Sequence, residues 1–132
     1  MQVLLVRHAE AAAGSPDDLR PLTPQGREQA RSLGIRLRDE GVAPDAIVSS
    51  PLLRARETAA LLAAALGVAA VADERLAPGA TPETLTEAVV GRGTIVVAVG
   101  HEPDCSRIAA ALTGAPEPDF PPAGSVTLEL AG

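Results

Sequence analysis

Two short, uninterrupted apolar runs constrain the fold of this chain more than any other feature. Residues 2–7 contain Val-Leu-Leu-Val, and residues 94–99 read Thr-Ile-Val-Val-Ala-Val. A strand with one face in water alternates polar and apolar residues, whereas a strand buried on both faces reads as a continuous apolar run. Both segments are therefore predicted to be central strands of a sheet whose two faces are covered.

Helical patterns and further strands alternate along the rest of the chain. Thr23-Pro24 is typical of an N-cap followed by proline at the first helical position, and Gly41 fits the residue just past the helix end. Further strands are predicted over 45–49, 68–72 and 125–130, further helices over 51–66, 82–90 and 104–114, and loops over 9–22 and 115–124. Ser50-Pro51 and Asp104 supply the N-terminal signals of two of those helices. This order predicts an α/β fold with a mainly parallel sheet and helices on both faces.

Composition limits the partners and the location. The chain has 132 residues, which suits a single domain over 1–132, and its formal charge is −6, which argues against nucleic acid and anionic membranes as partners. No apolar stretch reaches the roughly 18 residues that span a bilayer, and the start lacks a basic leader region. With one cysteine in addition, the expected location is cytoplasmic.

Several chemistries are excluded by missing residue types. All eleven basic residues are arginine, so Walker-type phosphate loops, pyridoxal phosphate and Schiff-base mechanisms are excluded. One phenylalanine and no tryptophan or tyrosine leave no aromatic platform for stacking bases.

Both histidines of the chain fall where strands end. Arg7 and His8 end the first strand, and His101 directly follows the strand at 94–99. Arg54 is predicted in the first turn of the helix after the second strand, where a positive charge opposes the helix dipole. Ligands of open α/β sheets bind beyond the carboxyl ends of the strands, so these four side chains are expected to converge.

Each of the four residues also has a structural explanation on its own. A histidine at a strand end is often structural, and Arg54 could pair with Glu57 or with a loop acid. Together, two arginines in one crevice repel each other unless an anion lies between them, and guanidinium groups suit phosphate oxygens. A neutral histidine can attack phosphorus, and a protonated second histidine would stabilise the transferring group. The pattern predicts a phosphate site that needs no metal and no cofactor.

Other phosphatase chemistries fit less well. A cysteine phosphatase needs an arginine six residues after the cysteine, but Ala111 stands there after Cys105. An aspartate phosphatase needs paired aspartates after a strand, and Asp17-Asp18 lies in a loop. A metal site made from both histidines and Glu102 remains an alternative.

Four stretches resemble the histidine phosphatase superfamily, the branch that contains phosphoglycerate mutase. They are LLVRHAE (4–10), LTPQGREQA (22–30), SSPLLRARETA (49–59) and VVAVGHEPD (96–104), in the family's order. The resemblance implies a three-layer α/β/α sandwich whose mainly parallel sheet has an antiparallel edge strand. It also implies that His8 is the nucleophile that becomes phosphohistidine, that Arg7 and Arg54 clamp the phosphate, and that His101 is the second pocket histidine.

Two departures from the family pattern affect the expected substrate. Ala11 to Gly14 replace an asparagine contact, and Pro78 stands where many members carry a glutamate proton donor. Glu74 and Glu83 are the nearby candidates for that donor, each with a surface carboxylate as its alternative reading. A site without a strong acid suits phosphoramidates and activated phosphates, whose leaving groups need less proton assistance. These features, and the short chain, resemble the SixA group of small phosphohistidine phosphatases, with Arg20 as a candidate rim residue or a solvated loop residue.

Three functional hypotheses follow. The first is a metal-independent phosphohydrolase that acts on a phosphohistidine-bearing protein and releases inorganic phosphate. The second is a phosphomonoesterase for small phosphorylated metabolites, with Glu74 or Glu83 as proton donor. The third is a non-catalytic module that binds phosphorylated ligands.

Overall fold

The framework of the protein is a five-stranded β-sheet with helices on both faces; the structure is a computed structural model that describes residues 1–131. The strands are β1 (Gln2–Arg7), β2 (Ala46–Ser49), β3 (Ala70–Ala72), β4 (Ile95–Gly100) and β5 (Ser125–Glu129). The α-helices are α1 (Pro24–Asp39), α2 (Leu53–Leu66), α3 (Pro82–Val89) and α4 (Asp104–Thr113). Two short 3-10 helices, Asp17–Leu19 and Glu74–Leu76, lie in connections. No helix within residues 1–131 combines the length and the apolar character needed to cross a membrane.

The sheet has the strand order β3-β2-β4-β1-β5. β1 to β4 run parallel, and β5 pairs antiparallel with β1 at the edge. The predicted three-layer sandwich with a mainly parallel sheet and an antiparallel edge strand is thereby confirmed. The two continuous apolar runs are β1 and β4, which pair with each other near the centre of the sheet.

Burial on both faces of β1 explains its uninterrupted apolar sequence. Val3 and Leu5 pack in the cluster that α3 and α4 cover, whereas Leu4 and Val6 pack in the cluster that α1 and α2 cover. Successive strand residues point to opposite faces, so a strand between two helical layers needs an apolar side chain at every position.

Two helices begin differently from the prediction. α2 begins at Leu53 rather than Pro51, and its N-cap, Leu52, makes no side-chain cap hydrogen bond. The Ser50 hydroxyl lies 2.8 Å from Nε2 of His101 and also accepts a hydrogen bond from the Leu52 N–H at 3.2 Å. Asp104 is the first residue of α4 rather than its cap, and its carboxylate accepts a hydrogen bond from the Gly79 N–H at 2.9 Å.

The connection over 115–124 does more than link α4 to β5. Phe120 is 4% exposed and belongs to the core beneath α4. Ala123 adopts a φ of 60°, and its N–H reaches the carbonyl oxygens of Arg7 and His8 at 3.1 and 3.3 Å. The segment therefore holds the backbone at the carboxyl end of β1.

We expect Gly26→Ala to lower the free energy of unfolding by about 2 kcal/mol, as overpacking does elsewhere. Gly26 lies in the first turn of α1, and a β-carbon there would collide with the carbonyl of Glu10, two residues after His8. Urea unfolding followed by circular dichroism measures the change. The control is Gln25→Ala at the exposed neighbouring position; equal stabilities for the two variants would contradict this account of the packing.

Candidate active site

The pairing of β1 with β4 places the two histidines side by side. Arg7 is in register with Gly100, and the N–H of His8 donates to the Gly100 carbonyl at 3.0 Å. The next residue of each strand is then a histidine, and the His8 and His101 rings lie 5.2 Å apart between centroids. Two residues separated by most of the chain thus meet because parallel strands end at the same edge of a sheet.

His8 is held in one tautomer and kept neutral. Its Nδ1 lies 2.7 Å from the carbonyl oxygen of Ala9, and since a carbonyl can only accept, Nδ1 carries the proton. The lone pair is left on Nε2. Burial, opposed by that hydrogen bond and reinforced by the charges of Arg54 and Arg7, lowers the pKa of His8 from 6.5 to about 4. At neutral pH, His8 is therefore an uncharged base with Nε2 free to act as a nucleophile.

His101 is deeply buried and bonded to a serine. It is 4% exposed, and its Nε2 lies 2.8 Å from the hydroxyl of Ser50, which is fully buried. Burial, followed by the neighbouring His8 and Arg54, lowers the pKa of His101 to about 4. His101 is thus neutral at neutral pH in the free protein, and a protonated His101 requires an anion beside it. The serine hydroxyl can donate or accept, so it can serve either state.

Arg54 lies in the first turn of α2, as predicted, and its side chain is buried. It is 7% exposed and donates from Nη1 to the main-chain carbonyl of Asp17 at 2.8 Å and from Nη2 to the Asp17 carboxylate at 3.2 Å. Its ion-pair partner is therefore the loop acid rather than Glu57, which accepts from the Leu22 N–H.

Arg7 keeps an unpaired donor. Its Nη1 donates to the carbonyl of Phe120 at 3.0 Å, whereas its buried Nε has no hydrogen-bond partner within residues 1–131. A buried N–H donor without a partner costs folding free energy, and an oxygen atom of a ligand bound in the pocket could supply the missing acceptor.

These side chains line one pocket of about 310 Å³. Its lining residues are Arg7, His8, Asp17, Arg20, Arg54, Pro78, His101 and Glu102. Three arginines outnumber the two acids, and both histidines are neutral, so the pocket carries a local positive charge in an acidic protein. Such a site can hold a tetrahedral dianion through paired guanidinium donors. A larger depression of about 530 Å³ lies elsewhere, between α1 and the 119–125 segment, and contains none of these residues.

The carboxylates around the site differ in position. Glu102 accepts from both the N–H and the hydroxyl of Ser106, at 2.7 and 2.6 Å, so both of its oxygens act as acceptors. Glu74 and Glu83 are exposed and do not line the pocket, whereas Pro78 does. Within residues 1–131, no group of three or more histidine, cysteine or acidic side chains is arranged to hold a metal ion.

Some pocket residues were predicted and others were missed. Arg20 does line the pocket, with Nε donating to the carbonyl of Ala12 at 2.8 Å. Two residues were not predicted: Asp17, which lines the pocket, looked like part of a loop, and Ser50, which hydrogen-bonds His101 without lining the pocket, looked like a helix cap. Cys105 is buried, and burial raises the pKa of its thiol far above the usual range, so it is unsuited to nucleophilic chemistry.

Known proteins share the sequence pattern and the fold of this chain. Residues 3–78 match the family model described as histidine phosphatase superfamily (branch 1). An uncharacterised protein of Picosynechococcus sp. strain PCC 7002 is 37% identical over 85% of this chain and 73% of its own. The structure of the protein histidine phosphatase SixA complexed with tungstate superposes with a TM-score of 0.89 and 27% identity, covering 98% of this chain and 88% of that one. A candidate phosphohistidine phosphatase SixA from Agrobacterium tumefaciens superposes with a TM-score of 0.83 and 29% identity, covering 96% of this chain and 89% of that one.

We expect both histidines to titrate near pH 4 in the folded protein and near 6.5 in the urea-unfolded chain. Because burial depresses both folded-state pKa values, the unfolded state takes up protons first as the pH falls. The contribution of the two neutral histidines to the free energy of unfolding is therefore complete above about pH 6.5 and is lost as the pH falls towards 4. Proton NMR of the imidazole resonances measures the titration directly. A folded-state midpoint at or above 6.5 for either ring would contradict the burial argument.

Proposed function

The chain belongs to the histidine phosphatase superfamily and is a phosphatase, and from that premise we propose that it is a metal-independent phosphohydrolase acting on phosphohistidine in a protein. The supporting observation is the juxtaposition of a neutral His8, with Nε2 free, and the guanidinium groups of Arg7 and Arg54 in one pocket.

The first step of the proposed reaction forms a phosphoenzyme. The Nε2 lone pair of His8 attacks phosphorus, a nitrogen–phosphorus bond forms, and the bond from phosphorus to the leaving group breaks with its electron pair going to that group. Arg7 and Arg54 neutralise the phosphoryl oxygens throughout. His101 takes up a proton from solvent when the dianion binds beside it, donates a further hydrogen bond, and returns the proton to solvent when phosphate leaves.

The second step releases inorganic phosphate. Water attacks phosphorus, an oxygen–phosphorus bond forms, and the bond to Nε2 breaks. The proton lost by the water passes to the phosphate or to solvent. Because the Ala9 carbonyl retains the proton on Nδ1, His8 departs as a neutral imidazole and is ready for another cycle. The same hydrogen bond thus favours both attack and departure.

The acids around the pocket favour phosphohistidine over sugar phosphates. Arg20 and Arg54 hold the pKa of Asp17 below its usual range, and both oxygens of Glu102 already accept hydrogen bonds. Neither carboxylate is therefore set up as a protonated donor. An alkoxide leaves poorly without a proton, whereas the imidazole of phosphohistidine can be protonated beforehand on its other nitrogen. Its departure then needs no acid from this protein.

Arg20 is proposed to contact the substrate at the pocket rim, because one of its guanidinium nitrogens, Nη2, takes no part in its bonds to Ala12 and Asp17. We further propose that the domain over 1–132 acts in the cytoplasm, in keeping with its single cysteine. Expected partners are the phosphorylated protein as substrate and inorganic phosphate as product, with no nucleic acid or membrane partner.

The substrate assignment is tested with three classes of compound. Purified protein is offered a phosphohistidine-bearing domain, a panel of sugar phosphates and an activated aryl phosphate, in the presence of a metal chelator. We expect turnover of the first and third, weak or no turnover of the second, and none with His8→Ala. Sugar-phosphate turnover that disappears in Glu74→Gln or Glu83→Gln would support a metabolite phosphatase instead, and phosphate binding without any turnover would support a binding module.

We expect Arg54→Ala to lower kcat/KM for the aryl phosphate at least about a hundredfold, since it removes a charge-stabilising donor of the transition state. Steady-state kinetics measure the loss, and a melting curve checks that the variant is folded. Arg56→Ala, two residues along α2 at an exposed position, is the matched control and should retain activity. A loss below threefold in Arg54→Ala would contradict the role assigned to Arg54.

A further inference from the structure

The carboxylate of Asp17 places a negative charge beside Arg54, the arginine that is proposed to bind phosphate. Asp17 begins the short 3-10 helix Asp17–Leu19. Its main-chain carbonyl accepts from Arg54 Nη1 at 2.8 Å, and its carboxylate Oδ2 accepts from Arg54 Nη2 at 3.2 Å. The other carboxylate oxygen accepts from Arg20 Nη1 at 2.9 Å. One acidic residue thus engages two of the three arginines that line the pocket.

The ion pair between Asp17 and Arg54 is not needed only to hold the loop in place. The carbonyl of Asp17 already ties the loop to Arg54, so the carboxylate is not needed for that purpose alone. The carboxylate is ionised at neutral pH, and Arg20 and Arg54 lower its pKa below the usual range. Two-thirds of its side chain is exposed at the pocket mouth. A phosphoryl group on Arg54 would therefore lie beside a fixed negative charge.

We propose that Asp17 is an internal competitor for Arg54 that weakens the hold of the pocket on free inorganic phosphate. This inference rests on the proposed function, because it takes the pocket to be the phosphoryl site. The Asp17 carboxylate and a bound phosphate dianion would both contact the Arg54 guanidinium. Two negative charges so close together repel each other, even at a partly exposed site.

The competition favours release of the product. Inorganic phosphate depends on the arginines and histidines for its binding, so it bears the full effect of the repulsion. A phosphoryl group carried on a protein would bring further contacts outside the pocket, and these would offset the same penalty. Asp17 therefore discriminates against small, highly charged anions and in favour of a phosphoryl group carried on a larger partner.

The substitution Asp17→Asn removes the negative charge and leaves the size and shape of the side chain nearly unchanged. The asparagine keeps the main-chain carbonyl and a side-chain oxygen acceptor, and it loses the negative charge. Asp18→Asn is the matched control: Asp18 lies in the same short helix, is exposed, and makes none of the side-chain hydrogen bonds or ion pairs found within residues 1–131. Asp17→Ser is a second neutral variant of the same position.

Isothermal titration calorimetry with inorganic phosphate at low ionic strength tests the proposal. We expect the dissociation constant to fall about three- to tenfold in Asp17→Asn, to fall in Asp17→Ser, and to change less than twofold in Asp18→Asn. An unchanged or raised constant in both Asp17 variants would overturn this inference while leaving the proposed function intact. Failure of every protein to bind phosphate would overturn both, because the pocket would not be a phosphate site.

Discussion

The site depends on the register between β1 and β4. Because Arg7 pairs with Gly100, the residues that follow are His8 and His101, and their rings meet although the two lie far apart in the sequence. The hydrogen bond from the His8 N–H to the Gly100 carbonyl extends this pairing past the end of β1. A shift of one residue would move the two imidazoles out of step. It would also exchange the side chains that β1 packs against the two helical layers, so close packing on both faces supports the observed register and with it the geometry of the site.

Burial then sets the chemistry that the two imidazoles can perform. Both are neutral at neutral pH because burial and the neighbouring arginines disfavour a second positive charge. The Ala9 carbonyl decides which nitrogen of His8 carries the proton, and Ser50 supports His101 in either protonation state. The pocket is thus arranged to accept negative charge rather than to supply protons, and this property supports the proposed substrate, whose leaving group can be protonated before it departs.

The fold and the convergence of Arg7, His8, Arg54 and His101 on one pocket were predictable because both depend on patterns that are local in the chain. Continuous apolar runs marked β1 and β4, and polar residues at their ends marked the site. A loop acid was one of the two partners expected for Arg54, but which acid was not predictable: Asp17 was taken as part of a turn-rich loop, and nothing in its neighbours indicates that it reaches Arg54. Ser50 was interpreted as a helix cap, because a Ser-Pro pair has the same pattern whether the hydroxyl caps a helix or bonds a buried histidine.

The proposed reaction consists of two successive displacements at phosphorus, with His8 as the intermediate carrier of the phosphoryl group. The stereochemical course of hydrolysis tests this most directly, with a chirally labelled thiophosphate substrate hydrolysed in isotopically labelled water. Each in-line displacement inverts the configuration at phosphorus, so the account predicts overall retention. Overall inversion would show that water attacks the substrate directly, and His8 would then not be the nucleophile.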